Sequence, residues 1–134
     1  MNFFARPTFA LGFGLFLVCG DTCLHLEDWA GLPGHWASLP FLLDDWPAGL
    51  FLVYSGVRSR RNWVSGRPYQ AAAWGVNAQL LFGALLGNLE TWSSSQAPAH
   101  DWISDREIVA IIAVMFALAL CGLASTLVST SRPS

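Results

Sequence analysis

From Ile108 to Val128 the chain runs without a single charged residue. That stretch constrains the fold more than any other feature. A helix of about 20 mostly apolar residues crosses the ~30 Å hydrocarbon core of a bilayer. The start of the stretch is also marked. Ser104 is followed three residues later by Glu107, the spacing of a capping box, in which the two residues satisfy each other's backbone N–H groups. The sequence therefore predicts a helix over about 105–128.

The rest of the chain fits a membrane class. Of its 134 residues 54% are hydrophobic and only 12% charged, against roughly 25% charged in a soluble domain. The length leaves room for one domain and no separate soluble module. Three further segments approach the length of a span, at about 8–26, 45–62 and 68–90. Pro7 and Pro68 stand where the first and third would begin, a position proline tolerates. The second is irregular. Asp45, Trp46 and Pro47 resemble an N-cap and first turn, which leaves 39–44 as a non-helical piece dipping into the membrane. Backbone of that kind persists only where protein or a wet cavity covers it. The fold expected is all-α: one polytopic membrane domain over 1–134, with four transmembrane helices and the second short or irregular at its outer end.

Orientation follows from arginine. The chain has no lysine, and Arg6, Arg58, Arg60, Arg61, Arg67 and Arg132 all fall on one side of the four segments. The positive-inside rule makes that side cytoplasmic and puts both termini there. Only Arg106 lies opposite, beside Asp105 and Glu107. All nine acids and all three His lie towards the outer side. Trp29, Trp36, Trp46, Trp92 and Trp102 would form an outer aromatic belt, and Trp63 and Trp74 an inner one. Arginine in place of lysine, with abundant Ala, Gly and Trp, suggests a GC-rich bacterial genome, hence a bacterial inner membrane. The first segment reads as a retained span. The small residues before Asp21 resemble a leader cleavage site, but only one Arg precedes the apolar run.

Ionisable groups inside a span are costly, about 2.5–3.5 kcal/mol near a helix centre, so their positions are informative. Asp21 falls below the outer interface, and His25 is one turn further out on the same face. Gly14 and Val18 continue that face inward. Asp44 and Asp45 enter the second segment at similar depth. In the third, Asn77 and Asn88 share one face and Gln79 and Glu90 another. Asp21, His25, Asp44, Asp45, Asn88 and Glu90 are therefore the expected ligand or ion site. Asp21, His25 and Asp45 carry donors suited to a divalent metal, although no spacing matches a known metal motif. Protonated carboxylates in the same place would suit a proton path or a cationic ligand. The structural alternative is a hydrogen-bonded knot in which amides join helices.

Haem is disfavoured, because only His25 has apolar helix around it and two facing imidazoles are needed. Cys19, Cys23 and Cys121 fit no disulfide framework or redox pair and are expected as small packing residues. Gly83 with Gly87, and Ala113 with Ala117, form small stripes suited to close helix packing, within the bundle or against another subunit. No basic tract of the nucleic-acid-binding kind is present. The expected partners are the lipid bilayer and a homo-oligomer or larger membrane complex. The leading functional expectation is a small non-enzymatic inner-membrane subunit or helper with an outward-facing intramembrane polar site for an ion, proton or small ligand. The alternatives are an intramembrane enzyme acting on a lipid or quinone, with His25 as acid/base, and an oligomeric transporter or channel.

Overall fold

A computed structural model of the chain describes residues 3–31, 39–93 and 104–129, with side chains in those stretches except at 21, 24–31, 39–45, 91 and 105. Four helices follow a short 3-10 turn at Phe3–Ala5: α1 (Pro7–Gly31), α2 (Leu39–Arg61), α3 (Trp63–Ser93) and α4 (Asp105–Val128). Helix takes 96% of the described residues, and none of them is in a strand. At 1.5 Å per residue the four helices are about 37, 35, 46 and 36 Å long.

The start of α4 is the one expected. Ser104 Oγ accepts the Glu107 backbone N–H at 3.3 Å, and Glu107 Oε2 accepts the Ser104 N–H at 3.0 Å. The capping box is complete on both sides. Over Arg106–Val128 this helix is long and apolar enough to cross a membrane, and only 11% of its most apolar window is buried. Among the described residues α4 is the one helix that meets both conditions, and the apolar stretch of α1, Pro7–Gly20, is shorter.

Two boundaries differ from expectation. Residues 39–44 are helical, so α2 is one continuous helix with Pro47 inside it. A proline there removes one intrahelical bond, that to the Leu43 carbonyl, which α2 tolerates without breaking. The third helix begins at Trp63, not at Pro68. Asn62 supplies the missing start signal. Its Oδ1 accepts the Ser65 N–H at 3.2 Å, satisfying an orphan donor of the first turn. Asn62 is also the only residue between α2 and α3. This sharp corner needs Gly66, where a Cβ would lie 2.5 Å from both Cα and N of Ser59.

The helices pack in chain order, each antiparallel to the next. Along the α1–α2 seam Gly14 faces Gly49 and Val53, and Gly56 faces Pro7 and Leu11. A Cβ on Gly14 would sit 2.7 Å from the Gly49 carbonyl oxygen, so the two backbones are as close as side-chain-free positions allow. Helices α3 and α4 meet where Trp74 presses on Gly122, 2.5 Å from where a Cβ would stand. Trp74 is fully buried, lying against Phe9 (ring centroids 5.6 Å apart) and Phe13 (5.2 Å) of α1. One aromatic side chain thus ties α1, α3 and α4 together.

This position of Trp74 corrects the inner-belt expectation, as does Trp63, which is only 5% exposed. Both point into protein because α3 turns its 63/66/70/74/77 face inward. Trp46 and Trp92 are exposed. The three cysteines are exposed as well, so they line outward faces and not helix contacts.

Candidate functional site

The interior of this protein is unusual in what it buries. Ser55, Ser59, Gln70, Asn77 and Thr126 are inside, together with Ala10, Ala48, Ala73, Ala78 and Ala119. Phe16, Leu50, Val64, Phe82, Leu86, Ile111, Val114 and Leu127 are outside. Small and polar residues therefore share the helix contacts with four large apolar ones, Phe13, Leu52, Trp63 and Trp74, while many other large apolar side chains cover the surface.

Among the described residues four of the five buried polar side chains are hydrogen-bonded, Ser59 being the exception. Asn77 donates from Nδ2 to the Ala48 carbonyl of α2 at 3.0 Å and to the Ala73 carbonyl of its own helix at 2.8 Å. It is the expected interhelical amide, reaching the middle of the bundle. Gln70 donates to the Ala5 carbonyl at 3.1 Å and lies 3.5 Å from Thr126 Oγ1. This links the start of the chain to the end of α4. Thr126 Oγ1 in turn donates to the Gly122 carbonyl at 2.7 Å.

Arg67 completes that end. Its Nε donates to the Thr126 carbonyl at 2.9 Å, and its Nη2 donates to the Leu127 carbonyl. The last carbonyls of a helix lack intrahelical donors, and a cation there also meets the negative end of the helix dipole. Arg67 is thus a C-terminal clamp for α4. The side-chain atoms Ser59 Oγ, Trp63 Nε1, Gln70 Oε1 and Trp74 Nε1 are buried with no hydrogen-bond partner among the described residues.

On the outer surface of the α2–α3 corner lies a second cluster. Arg58 Nη1 donates to Tyr54 Oη at 3.0 Å. The guanidinium carbon stands 4.2 Å from the centre of the Tyr69 ring, well within cation–π range. The two tyrosine rings meet edge to face, 6.2 Å apart.

The residues expected to form the outer polar site are distributed as follows. The side chains of Asp21, His25, Asp44 and Asp45 lie outside the described residues. So does the proposed metal set, Asp21, His25 and Asp45. Asn88 is half-buried and donates to the Ala84 carbonyl of its own helix at 2.8 Å. Glu90 is exposed, and its backbone carbonyl accepts the Ser93 hydroxyl at 2.8 Å. Among the described residues neither side chain bonds to another helix. Gly83, Gly87 and Ala117 are exposed and Ala113 half-buried. A Cβ on Gly83 or Gly87 meets no described atom within 4 Å. The close approaches are instead Gly14–Gly49, Gly66–Ser59 and Gly122–Trp74.

Several of these contacts carry a signal in the sequence. Gly49 and Gly56 are two turns apart on one face of α2, level with Gly14 and with Pro7 and Leu11 respectively. Tyr54, Arg58 and Arg61 recur at i, i+4, i+7. Asn62 stands just before α3 as a ready N-cap. Gln70 and Arg67 had no such signal, because their partners lie more than fifty residues away.

No family model, no curated protein and no solved structure matches this chain.

Proposed function

We propose that this is a polytopic protein of a bacterial inner membrane, crossing it four times with both ends cytoplasmic. In this reading it is a non-enzymatic subunit or helper of a larger assembly, and it carries an outward-facing polar site for an ion, a proton or a small ligand. The observation that supports the membrane reading most is the number of large apolar side chains on the surface, with small and polar residues among those buried. Packing on small residues and joining helices through buried Ser, Thr, Asn and Gln is how helices associate in lipid, where apolar burial gives no driving force. A soluble bundle with Phe16, Leu50, Phe82, Leu86 and Ile111 outside would present a large continuous apolar surface to water. Every helix is also longer than the ~30 Å hydrocarbon core.

The register of the α1–α2 seam supports the site. Two helical turns beyond Gly14 is position 21, on the same face. Two turns before Gly49 and Val53, in the antiparallel direction, are positions 42 and 46. Asp45, one turn before Gly49, falls on the same face, and Asp44 precedes it about 100° round the axis. Position 25 is one turn further out. Asp21, His25 and Asp45 are therefore the proposed core of the site, with Asp44 beside it. Asn88 and Glu90 lie further out, since Asn88 is three turns, about 16 Å, along α3 from Asn77, the residue that meets Ala48.

Purification of the full chain in mild detergent, followed by mass and elemental analysis of everything retained, tests this function. A stoichiometric partner chain held by the wild type and lost from Asp21→Asn or His25→Ala is the expected result. A lone, well-behaved protein that turns over a lipid or quinone would contradict it and favour the enzyme reading.

A further inference from the structure

The basic end of the molecule has no acid of its own. No Asp or Glu occurs in residues 1–20, 46–89 or 108–134. These stretches hold Arg6, Arg58, Arg60, Arg61, Arg67 and Arg132. Arg67 is engaged by the α4 carbonyls. Arg58 is different. It is held between Tyr54 and Tyr69 and is half-buried, with its Nε covered, so a ligand from outside would meet its Nη end. A guanidinium whose plane is set by two neighbouring rings is preorganised for an oxyanion at its Nη end. Arg61 lies one turn on, on the same face of α2, and is exposed.

We propose that Arg58, flanked by Tyr54 and Tyr69 and assisted by Arg61, binds the headgroup phosphate of an anionic phospholipid of the inner leaflet. This rests on the membrane reading above. Tyr54 and Tyr69 are 50% and 39% exposed, on a surface that also carries exposed Val57 and Leu50. Amphipathic rings of this kind sit at the level of the headgroups, and acyl chains would lie along the apolar side chains below. Basic pockets between spans on the cytoplasmic side are suited to acidic lipid headgroups. A soluble oxyanion would use the same guanidinium end but gain nothing from the apolar flank.

Native mass spectrometry of the full-length protein, offered equimolar phosphatidylglycerol and phosphatidylcholine in mild detergent, tests the proposal. The wild type is expected to retain phosphatidylglycerol preferentially. A basic residue near an acidic surface contributes about 1 kcal/mol, so Arg58→Gln should lower that preference about fivefold. Arg58→Lys keeps the charge but loses the fork and the stacking, and Tyr69→Leu loses the ring. Each should lower the preference by at least about twofold on the same scale, whereas Arg132→Gln should leave it unchanged. Equal retention of the two lipids overturns the proposal. So does an Arg58→Lys protein indistinguishable from wild type, since charge alone would then suffice. Displacement of the lipid by an equal concentration of inorganic phosphate also overturns it, in favour of a free anion. If Arg58→Gln fails to fold, the lysine and Tyr69 variants carry the test. Recovery of the chain in the carbonate-washed membrane fraction separates the two readings. A protein that stays in the membrane without lipid preference sinks only the site, and one released into solution sinks the membrane reading itself.

Discussion

Replacing Gly66 with alanine is expected to destabilise the protein, although glycine inside a helix is ordinarily the weaker residue. Alanine gains about 1 kcal/mol over glycine in a helix interior. At position 66, however, the new methyl would stand 2.5 Å from Cα and N of Ser59 and 2.8 Å from the Arg58 carbonyl carbon. These are backbone atoms, so no side chain can swing aside. The one-residue corner at Asn62 leaves no slack to absorb a shift. Overpacking of a tight contact costs about 1–3 kcal/mol, and with backbone atoms as the obstacle the upper figure applies, so clash outweighs the ~1 kcal/mol of propensity and the net loss should be about 2 kcal/mol. Gly75→Ala in the same helix is the control, because a Cβ there meets no described atom within 4 Å. It should be neutral or stabilise by up to about 1 kcal/mol. Unfolding in detergent with increasing SDS measures both. Equal behaviour of the two variants would mean that the corner is not as tight as described.

The second large effect is at Trp74. Truncation to alanine removes contacts with Phe9, Phe13 and Gly122 at once and leaves a cavity between three helices. Core Trp→Ala changes cost about 3–5 kcal/mol in water-soluble proteins. In lipid the transfer part of that loss is smaller, because the unfolded side chain is already in an apolar medium. The expected cost is therefore nearer the lower figure. Trp74→Phe should cost much less. The indole Nε1 has no hydrogen-bond partner among the described residues, so phenylalanine gives up volume but no bond. Should Trp74→Phe prove as damaging as Trp74→Ala, the indole N–H has a partner and the packing account of this residue is wrong.

What could be read from the chain and what could not divides along physical lines. The start of α4 was legible because a capping box is local: Ser104 and Glu107 are within one turn and their chemistry is sufficient. Helical content was legible for the same reason, since long apolar runs have few alternatives. The course of α2 was not. Pro47 and the Asp44–Asp45 pair argue locally for a break, and tertiary packing along the Gly14–Gly49 seam overrides a single lost hydrogen bond. The inner tryptophans misled for a related reason. A Trp near the end of a span suits the interface or the core equally well by composition. Only the inward face of α3, with Gly122 opposite, places Trp74 inside. Of the polar groups, Asn77 was found because an amide in an apolar helix is conspicuous. The Arg67 clamp was invisible, because it depends on where a helix fifty-nine residues later happens to end.

Side-specific labelling of single cysteines tests the four-crossing arrangement most directly. In a background with Cys19, Cys23 and Cys121 replaced by alanine, Ser38→Cys, Ser65→Cys, Ser95→Cys and Ser134→Cys would be introduced one at a time. A membrane-impermeant maleimide would then be applied to intact spheroplasts and to lysed membranes. Cysteines at 38 and 95 should label in intact spheroplasts, and those at 65 and 134 only after lysis. Labelling of 65 and 95 from the same side, or recovery of the chain in the soluble fraction, would contradict the account.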